Sequence, residues 1–307
     1  MLKYRRLGLL GFNALARFMA RMGVGKMRVN GKRLRDIIYP MVENVVHFGL
    51  PETIEVNGMS MHLTASNGRG RFAWLYPFDY EPETKRAFEQ IVKPGMNIVD
   101  AGAHIGYYTL LSAKLLNGTG KVYAFEPDPL HYETLNKNIR TNHLIDFVEV
   151  SQQAVAESKR TTTLFLGKST GTGLFKTSDS THQTILTDIV SLDEFFSAKG
   201  WPSVHLIKLD IEGSEKLAVE GMRTLVKRNP ALKLIIELNP SCLEAGTIHP
   251  EDLLILLGEL GFNHAIALSK EMKRYKIPQE IQSLVGLARN LNYVNLLCEK
   301  DSFVSNA

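Results

Sequence analysis

What most restricts the fold of this chain is a series of short apolar runs that alternate with helix-length segments from residue 97 onward. Residues 97–99, 121–125, 147–150, 205–209 and 232–238 are too short for helices and carry few polar positions. A strand that is apolar on both sides is buried on both sides. Such strands, separated by helices, form a parallel sheet covered on both faces. The segments 105–116, 130–140, 214–226 and 250–260 have helical length and pattern, and 262–268 and 293–298 read as closing strands. Residues 161–166 and 185–190 are β-rich, 192–196 reads as a short helix, and 169–180 is a Gly-, Ser- and Thr-rich loop.

Upstream of that rhythm the chain changes character. Residues 1–35 hold ten basic side chains and no acidic one, so a total of +4 leaves the remainder net negative. The body is therefore a poor nucleic-acid surface, and no nucleic-acid partner is expected. Leu7, Phe12, Leu15, Phe18 and Met22 share one helical face, with Arg17 and Arg21 opposite. The apolar stretch 7–16 is about half of what a bilayer span needs, and arginines continue past it without a small-residue cleavage site. This leader reads as a basic amphipathic extension. It suits packing on the body, a second subunit in a homodimer, or peripheral contact with an anionic membrane at its inner, cytoplasmic face. Residues 53–64 read as a hairpin around Asn57-Gly58, and 83–92 as a helix entered through Pro82. Three parts follow: an extension over 1–50, a hairpin-and-helix lead-in over 51–95, and a core domain over 96–300. Only Cys242 and Cys298 occur, without metal-site spacing, which argues against both a disulfide framework and a zinc site, and a reducing cytoplasm is expected.

The chemistry concentrates where strands end. In the stretch from Asn97 to Thr109, a strand finishes at Asp100 and runs into small residues at Ala101, Gly102, Ala103 and Gly106 before a helix. In open parallel sheets ligands bind at the carboxyl ends of strands, where the strand order reverses. Gly102 and Gly106 permit positive φ or close backbone approach. Glu126 ends the next strand, twenty residues after Gly106, where a carboxylate accepts from both hydroxyls of a ribose. Asp128 suits the cap of the following helix better. These features also fit a nicotinamide oxidoreductase. The turn, however, is Gly-x-x-x-Gly preceded by an acid, rather than Gly-x-Gly-x-x-Gly. S-adenosylmethionine has no pyrophosphate to cradle and needs an acceptor for its amino group, which Asp100 supplies. Farther on, Lys208 and Asp210 leave a strand on one face, and Glu212 and Glu215 flank the turn after it. An acid-rich strand end is costly unless it lines an open cleft or is paired. Glu237 and Asn239 leave the next strand just before Pro240.

Taken in order, these pieces resemble the FkbM-type methyltransferases, a family of S-adenosylmethionine-dependent enzymes linked to O-methylation of natural products and sugars. The resemblance spans residues 78–268. It rests on Phe78-Asp-Tyr-Glu-Pro82, the turn from Val99 to Thr109, Phe125-Glu-Pro127, Asn138 through Asn142, Ser191-Leu-Asp193, the run from Ile207 to Glu215, and Ile236-Glu237. The family commonly carries Asn where this chain has His104. The resemblance implies a doubly wound, Rossmann-like, seven-stranded methyltransferase sheet with an N-terminal helical and hairpin extension, its last strand antiparallel. It further implies that Asp100, Gly102, Ala103 and Gly106 hold the methionine half of the cofactor, that Glu126 holds the ribose, and that Gln153 and Ala154 lie at the adenine.

On that reading the partner is a small-molecule or glycan acceptor. The hydroxyl proton must leave as the methyl arrives, and Asp210 and Glu212 are the first candidates for general base, with His104 next and Lys208 beside them. Asp210, Glu237 and Asn239 also resemble the ligand set of catechol-type O-methyltransferases, an oxygen-only arrangement suited to Mg²⁺; the competing expectation is that Lys208 neutralises Asp210 and no metal binds. A non-catalytic cofactor-binding scaffold docked at a membrane is the alternative outside enzymes.

Overall fold

The computed structural model describes residues 53–63, 80–167, 171–178 and 180–301, together with the backbone of two short strands farther upstream. Those strands, β1 (Arg28–Val29) and β2 (Lys32–Arg33), pair antiparallel within an N-terminal unit, Met1–Glu52. The amphipathic face expected between residues 7 and 22 lies outside the described residues. All other elements belong to a second compact unit, Thr53–Ala307. No helix among the described residues is long and apolar enough to cross a membrane.

The second unit opens with the expected hairpin, β3 (Thr53–Val56) and β4 (Met59–His62), closed by Asn57 and Gly58 at φ 53° and 76°. Two left-handed residues are what a two-residue loop needs to match strand twist. There follow α1 (Pro82–Ile91), β5 (Asn97–Ala101), α2 (Tyr107–Leu116), β6 (Lys121–Phe125), α3 (Pro129–Thr141) and β7 (Val148–Ser151). Asp128 caps α3 as its position indicates, accepting the Leu130 N–H at 3.0 Å, and Pro129 takes the first helical position, where a missing N–H costs nothing.

Next comes a separate three-stranded sheet of β8 (Ala154–Val155), β9 (Arg160–Gly167) and β10 (Ser180–Val190), in the order β8-β10-β9. β10 runs from residue 180 rather than 185. Its outer half is polar and is held by pairing with β9, Ser180 opposite Gly167 and Thr184 opposite Phe165, a partnership that local hydropathy does not register. α4 (Leu192–Ala198) starts with a capping box between Ser191 and Glu194 and leads to β11 (Leu206–Leu209). The single helix expected over 214–226 is instead two, α5 (Glu215–Glu220) and α6 (Arg223–Arg228). The break falls at Gly221, where a Cβ would lie 2.2 Å from the Ala156 carbonyl oxygen. The unit closes with β12 (Lys233–Leu238), α7 (Pro240–Ala245), α8 (Pro250–Glu259), β13 (His264–Ala267), β14 (Arg274–Lys276), α9 (Ile281–Leu291) and β15 (Val294–Glu299).

The main sheet has the order β14-β13-β15-β12-β11-β5-β6-β7. The five strands from β12 to β7 are parallel, and β15 inserts antiparallel between β12 and β13. The doubly wound sheet is as expected, with eight strands rather than seven. The extra one, β14, is three residues long at the edge, and only Tyr275 of its Arg-Tyr-Lys is buried, so it leaves no apolar run to read. Alternate strand residues serve two cores. Val99, Phe125, Ile207 and Ile236 pack with α4 through α9 on one side. Ile98, Val122, Leu206 and Ile235 pack on the other, with α1, α2, α3 and the hairpin residues Val56 and Met61. After β7 the chain returns across the sheet to β11, on the far side of β5. The strand order therefore reverses between β5 and β11, and a crevice opens at their carboxyl ends.

Candidate functional site

That crevice holds a cavity of about 270 Å³, walled by the ends of β5, β6, β11 and β12 and by residues 172–174 between β9 and β10. On one side stand two carboxylates from neighbouring strands. Asp100 is 1% exposed; its Oδ2 accepts the Thr109 hydroxyl at 2.6 Å, while its Oδ1 is buried with no hydrogen-bond partner. Burial pushes its carboxyl upward, with Lys208 and the Thr109 bond pulling the other way. Glu126 accepts the His104 backbone N–H at Oε2 (2.7 Å) and the Asp128 N–H at Oε1 (2.9 Å). Two backbone donors fix the plane of that carboxylate and leave it further lone pairs. Gln153 and Ala154 line the same side, just past β7.

The opposite side is a lysine set among acids. Lys208 is 2% exposed; its Nζ donates to Asp210 Oδ2 at 2.7 Å and stands 4.8 Å from the centre of the Tyr108 ring. Burial opposes its charge, but Asp210, Asp100 and Glu81 outweigh burial and raise its pKa above the ordinary value. Glu81 accepts the Tyr108 hydroxyl at 2.7 Å, and its own backbone is left-handed at φ 43° and ψ 62°. That conformation is costly for a non-glycine residue and is held only where its surroundings dictate it. Burial raises the Glu81 carboxyl, and it raises Glu237 much further, with Asp210, Glu212, Glu215 and Glu81 adding repulsion. The Tyr293 hydroxyl is pushed up by burial and by the same carboxylates.

The cavity gathers most of the residues singled out from the sequence. Asp100, Gly102, Ala103, His104 and Glu126 line it, as do Lys208, Asp210, Glu212, Glu237 and Asn239. Gly106 does not. It begins α2 at φ 101°, and a Cβ there would press on Leu135 at 2.7 Å, so its work is turning the chain. Gly102, at φ 80°, is needed for a related reason. A Cβ on it would lie 1.8 Å from the Asp210 carbonyl oxygen, so the glycine lets the turn after β11 come against the turn after β5. The closest approach these two glycines allow is of protein to protein.

Asp210, Glu237 and Asn239, the set expected for Mg²⁺, all line the cavity, and each meets a protein partner there. Asp210 is engaged by Lys208, the Asn239 side-chain oxygen accepts the Cys242 N–H at the start of α7, and the Asn239 amide donates to Glu237 at 3.3 Å. Among the described residues no three His, Cys, Asp or Glu side chains are grouped to hold a metal ion. His104 is enclosed, its ring centre 4.0 Å from that of His131. Burial, with His131 and Lys208 nearby, depresses its pKa well below the ordinary value, so the ring is neutral and a weak base. Sequence reasoning assigned no role to Glu81, His131, Tyr293 or residues 172–174. Glu81 alone left a signal, an acid immediately before a helix-opening proline.

Residues 100–263 match the family model described as the methyltransferase FkbM domain. Ribosomal protein L11 methyltransferase of Bacillus cereus (strain B4264) is 39% identical over 72 residues, 24% of this chain and 22% of that protein. The corresponding protein of Bacillus cytotoxicus is 38% identical over the same length. The chain thus spans about a fifth of the length of the curated relatives it matches. Among solved structures, an FkbM methyltransferase from Methylobacillus flagellatus KT aligns over 86% of this chain and 60% of its own, with a TM-score of 0.42 and 15% identity. An Aquifex aeolicus SAM-dependent methyltransferase aligns over 71% and 88%, with a TM-score of 0.39 and 15% identity. Because the matched segment runs from Asp100 at the end of β5 to Asn263 before β13, more than half of the 307 residues, the chain belongs to the FkbM methyltransferase family.

Proposed function

We propose that this protein is an S-adenosylmethionine-dependent methyltransferase that methylates a hydroxyl oxygen of a small-molecule or glycan acceptor. The observation that carries the reading is the pair Asp100 and Glu126. They are two buried carboxylates at the ends of adjacent parallel strands, one with an unpartnered oxygen and the other fixed by two backbone donors. That pair of acceptors fits the nucleoside: Asp100 Oδ1 accepts from the ammonium of its amino-acid half, Glu126 accepts from ribose hydroxyls, and Gln153 and Ala154 lie against the base. When bound, the cofactor supplies a methyl group already activated on a sulfonium.

The remaining work falls to the residues of β11 and its turn. Lys208 holds Asp210 by Oδ2. Oδ1, on a side chain 20% exposed, receives the proton from the acceptor hydroxyl. Glu212 stands next to it in the turn but already accepts the Cys242 thiol at 3.5 Å, which makes it the second candidate. Most of the rate gain comes from holding the acceptor oxygen in line with the methyl group.

The test is methyl transfer from labelled S-adenosylmethionine into cell extract, followed by identification of the labelled product. An O-methyl product is expected. E126A is expected to raise the KM for the cofactor about tenfold or more with little change in kcat, as loss of a charge-assisted hydrogen bond does. D210N is expected to lower kcat by about 10²-fold or more. A label found on nitrogen removes the oxygen assignment, and D210N turning over like the parent removes Asp210 as base.

A further inference from the structure

Residues 171–178, between β9 and β10, reach from one bank of the cavity to the other. The Thr172 hydroxyl accepts the Gly167 N–H at 2.9 Å and stands 3.5 Å from Asp128 Oδ2, in the turn after β6. The next residue, Gly173, meets the opposite bank. A Cβ on it would come within 3.1 Å of the Glu212 carbonyl oxygen, in the turn after β11. β5 lies between β6 and β11 in the sheet, so two consecutive residues bridge the carboxyl end of β5, where the strand order reverses. Thr172, Gly173 and Leu174 all line the cavity.

The two sides of this strap are held differently. Gly173 exchanges backbone hydrogen bonds with Phe165 of β9 at 2.9 and 3.0 Å, and Leu174 packs with Ala154, Ala156 and Ile189. These contacts fasten the strap to its own small sheet. Toward the other bank, the half-buried Phe175 sets its ring against Gly246, just past the end of α7. A Cβ on Gly246 would stand 2.4, 2.5 and 2.8 Å from three carbons of that ring. Gly246 has φ −88°, open to every residue, so its missing side chain serves the ring and not the backbone. One ring in one notch is a small contact, and such contacts open and reclose while the elements on either side stay folded.

We propose that this strap is a latch on the cofactor site: it closes over the bound nucleoside, the Phe175 ring seated on Gly246 holds it shut, and cofactor enters and product leaves when that contact opens. This rests on the methyltransferase reading and adds to it the step that sets cofactor exchange. A closed strap also keeps water from the activated methyl group.

The experiment measures uptake and release rates of radiolabelled S-adenosylhomocysteine on the full chain, for the parent, F175A, G246A and the double variant. F175A removes the ring; G246A fills its notch. Each is expected to release the ligand about fivefold or more faster and to take it up faster as well, so that affinity falls by less than release rises. In the F175A background G246A should add nothing, because the ring it displaces is gone. Unchanged release in either single variant overturns the proposal. So does a G246A effect of equal size with and without Phe175, which places the cause in α7 and not in the contact. Faster release with unchanged uptake overturns it too, since that is the signature of a fixed binding wall. If the parent binds no S-adenosylhomocysteine, the methyltransferase reading falls and this inference with it; if the parent binds and the rates do not move, only this inference falls.

Discussion

One buried side chain shows the direction in which this fold responds to pH. Glu215 is fully buried at the start of α5, where its carboxyl accepts the N–H groups of Ile211 at 3.0 Å and of Gly213 at 3.0 and 3.3 Å. It caps the turn that brings Asp210 and Glu212 into the cavity. Burial pushes it from 4.5 up to about 7, against the pull of those backbone donors and with the help of Asp210. In the unfolded chain the group ionises near its ordinary value. Between roughly pH 4.5 and pH 7 the folded state therefore keeps a proton that the unfolded state has released. Stability then falls as pH rises through that window, by up to about 3 kcal/mol from this one group. Asp100, Glu81 and Glu237 are raised as well and act with the same sign. Urea unfolding at pH 5 and pH 8 checks this: the parent should lose stability toward pH 8, and E215Q should lose less. A parent that gains stability over the same interval contradicts the assignment.

The legibility of the elements follows the range of the forces that fix them. β6 is found to the residue, at 121–125, because burial on both faces is written into consecutive side chains. The break between α5 and α6 is invisible in the same way of reading, because its causes lie about thirty residues upstream. Asp193, at the start of α4, accepts the N–H of Leu225 at 2.7 Å and of Thr224 at 2.9 Å, and donates its own N–H to the Gly221 carbonyl at 2.8 Å. A side chain remote in sequence thus caps α6 and ends α5. The site divides along the same line. Asp100, Glu126, Lys208 and Asp210 are legible because strand ends locate them, whereas Glu81 and Tyr293 reach the cavity only through packing of distant segments. The cap is testable. D193A should cost about 1–2 kcal/mol in urea unfolding, the usual range for a lost cap. D193N, which keeps one acceptor oxygen, should cost less. Equal stability of the parent and D193A makes the helix break a property of Gly221 alone.

Over the whole second unit, the hairpin is fastened to the cofactor turn through α3. Asn138, fully buried, accepts the His62 N–H at 2.6 Å with its oxygen; its amide donates to the Ile105 carbonyl at 2.7 Å and to the His62 carbonyl at 3.2 Å. One helical turn on, Asn142 repeats the pattern on Ser60, accepting its N–H at 3.0 Å and donating to its carbonyl at 2.7 Å. Two amides four residues apart thus replace the rungs of a missing neighbouring strand for β4. Met61 and Val56 join Phe88 and Leu135 in one apolar cluster beneath. The Ile105 carbonyl belongs to the turn that carries Gly102, Ala103 and His104, so the clamp reaches the proposed cofactor site as well as the hairpin. N138A strands a buried carbonyl and both polar groups of His62, and it should destabilise the unit by about 2–4 kcal/mol. N142A, whose contacts with Ser60 are exposed to water, should cost under about 1 kcal/mol. The same variants separate fastening from simple packing. If Asn138 couples the two regions, N138A also weakens S-adenosylhomocysteine binding at a temperature where the protein is still folded, and amide exchange rises in the hairpin and in residues 102–106 together. If exchange rises in the hairpin alone, the clamp holds β4 and nothing more.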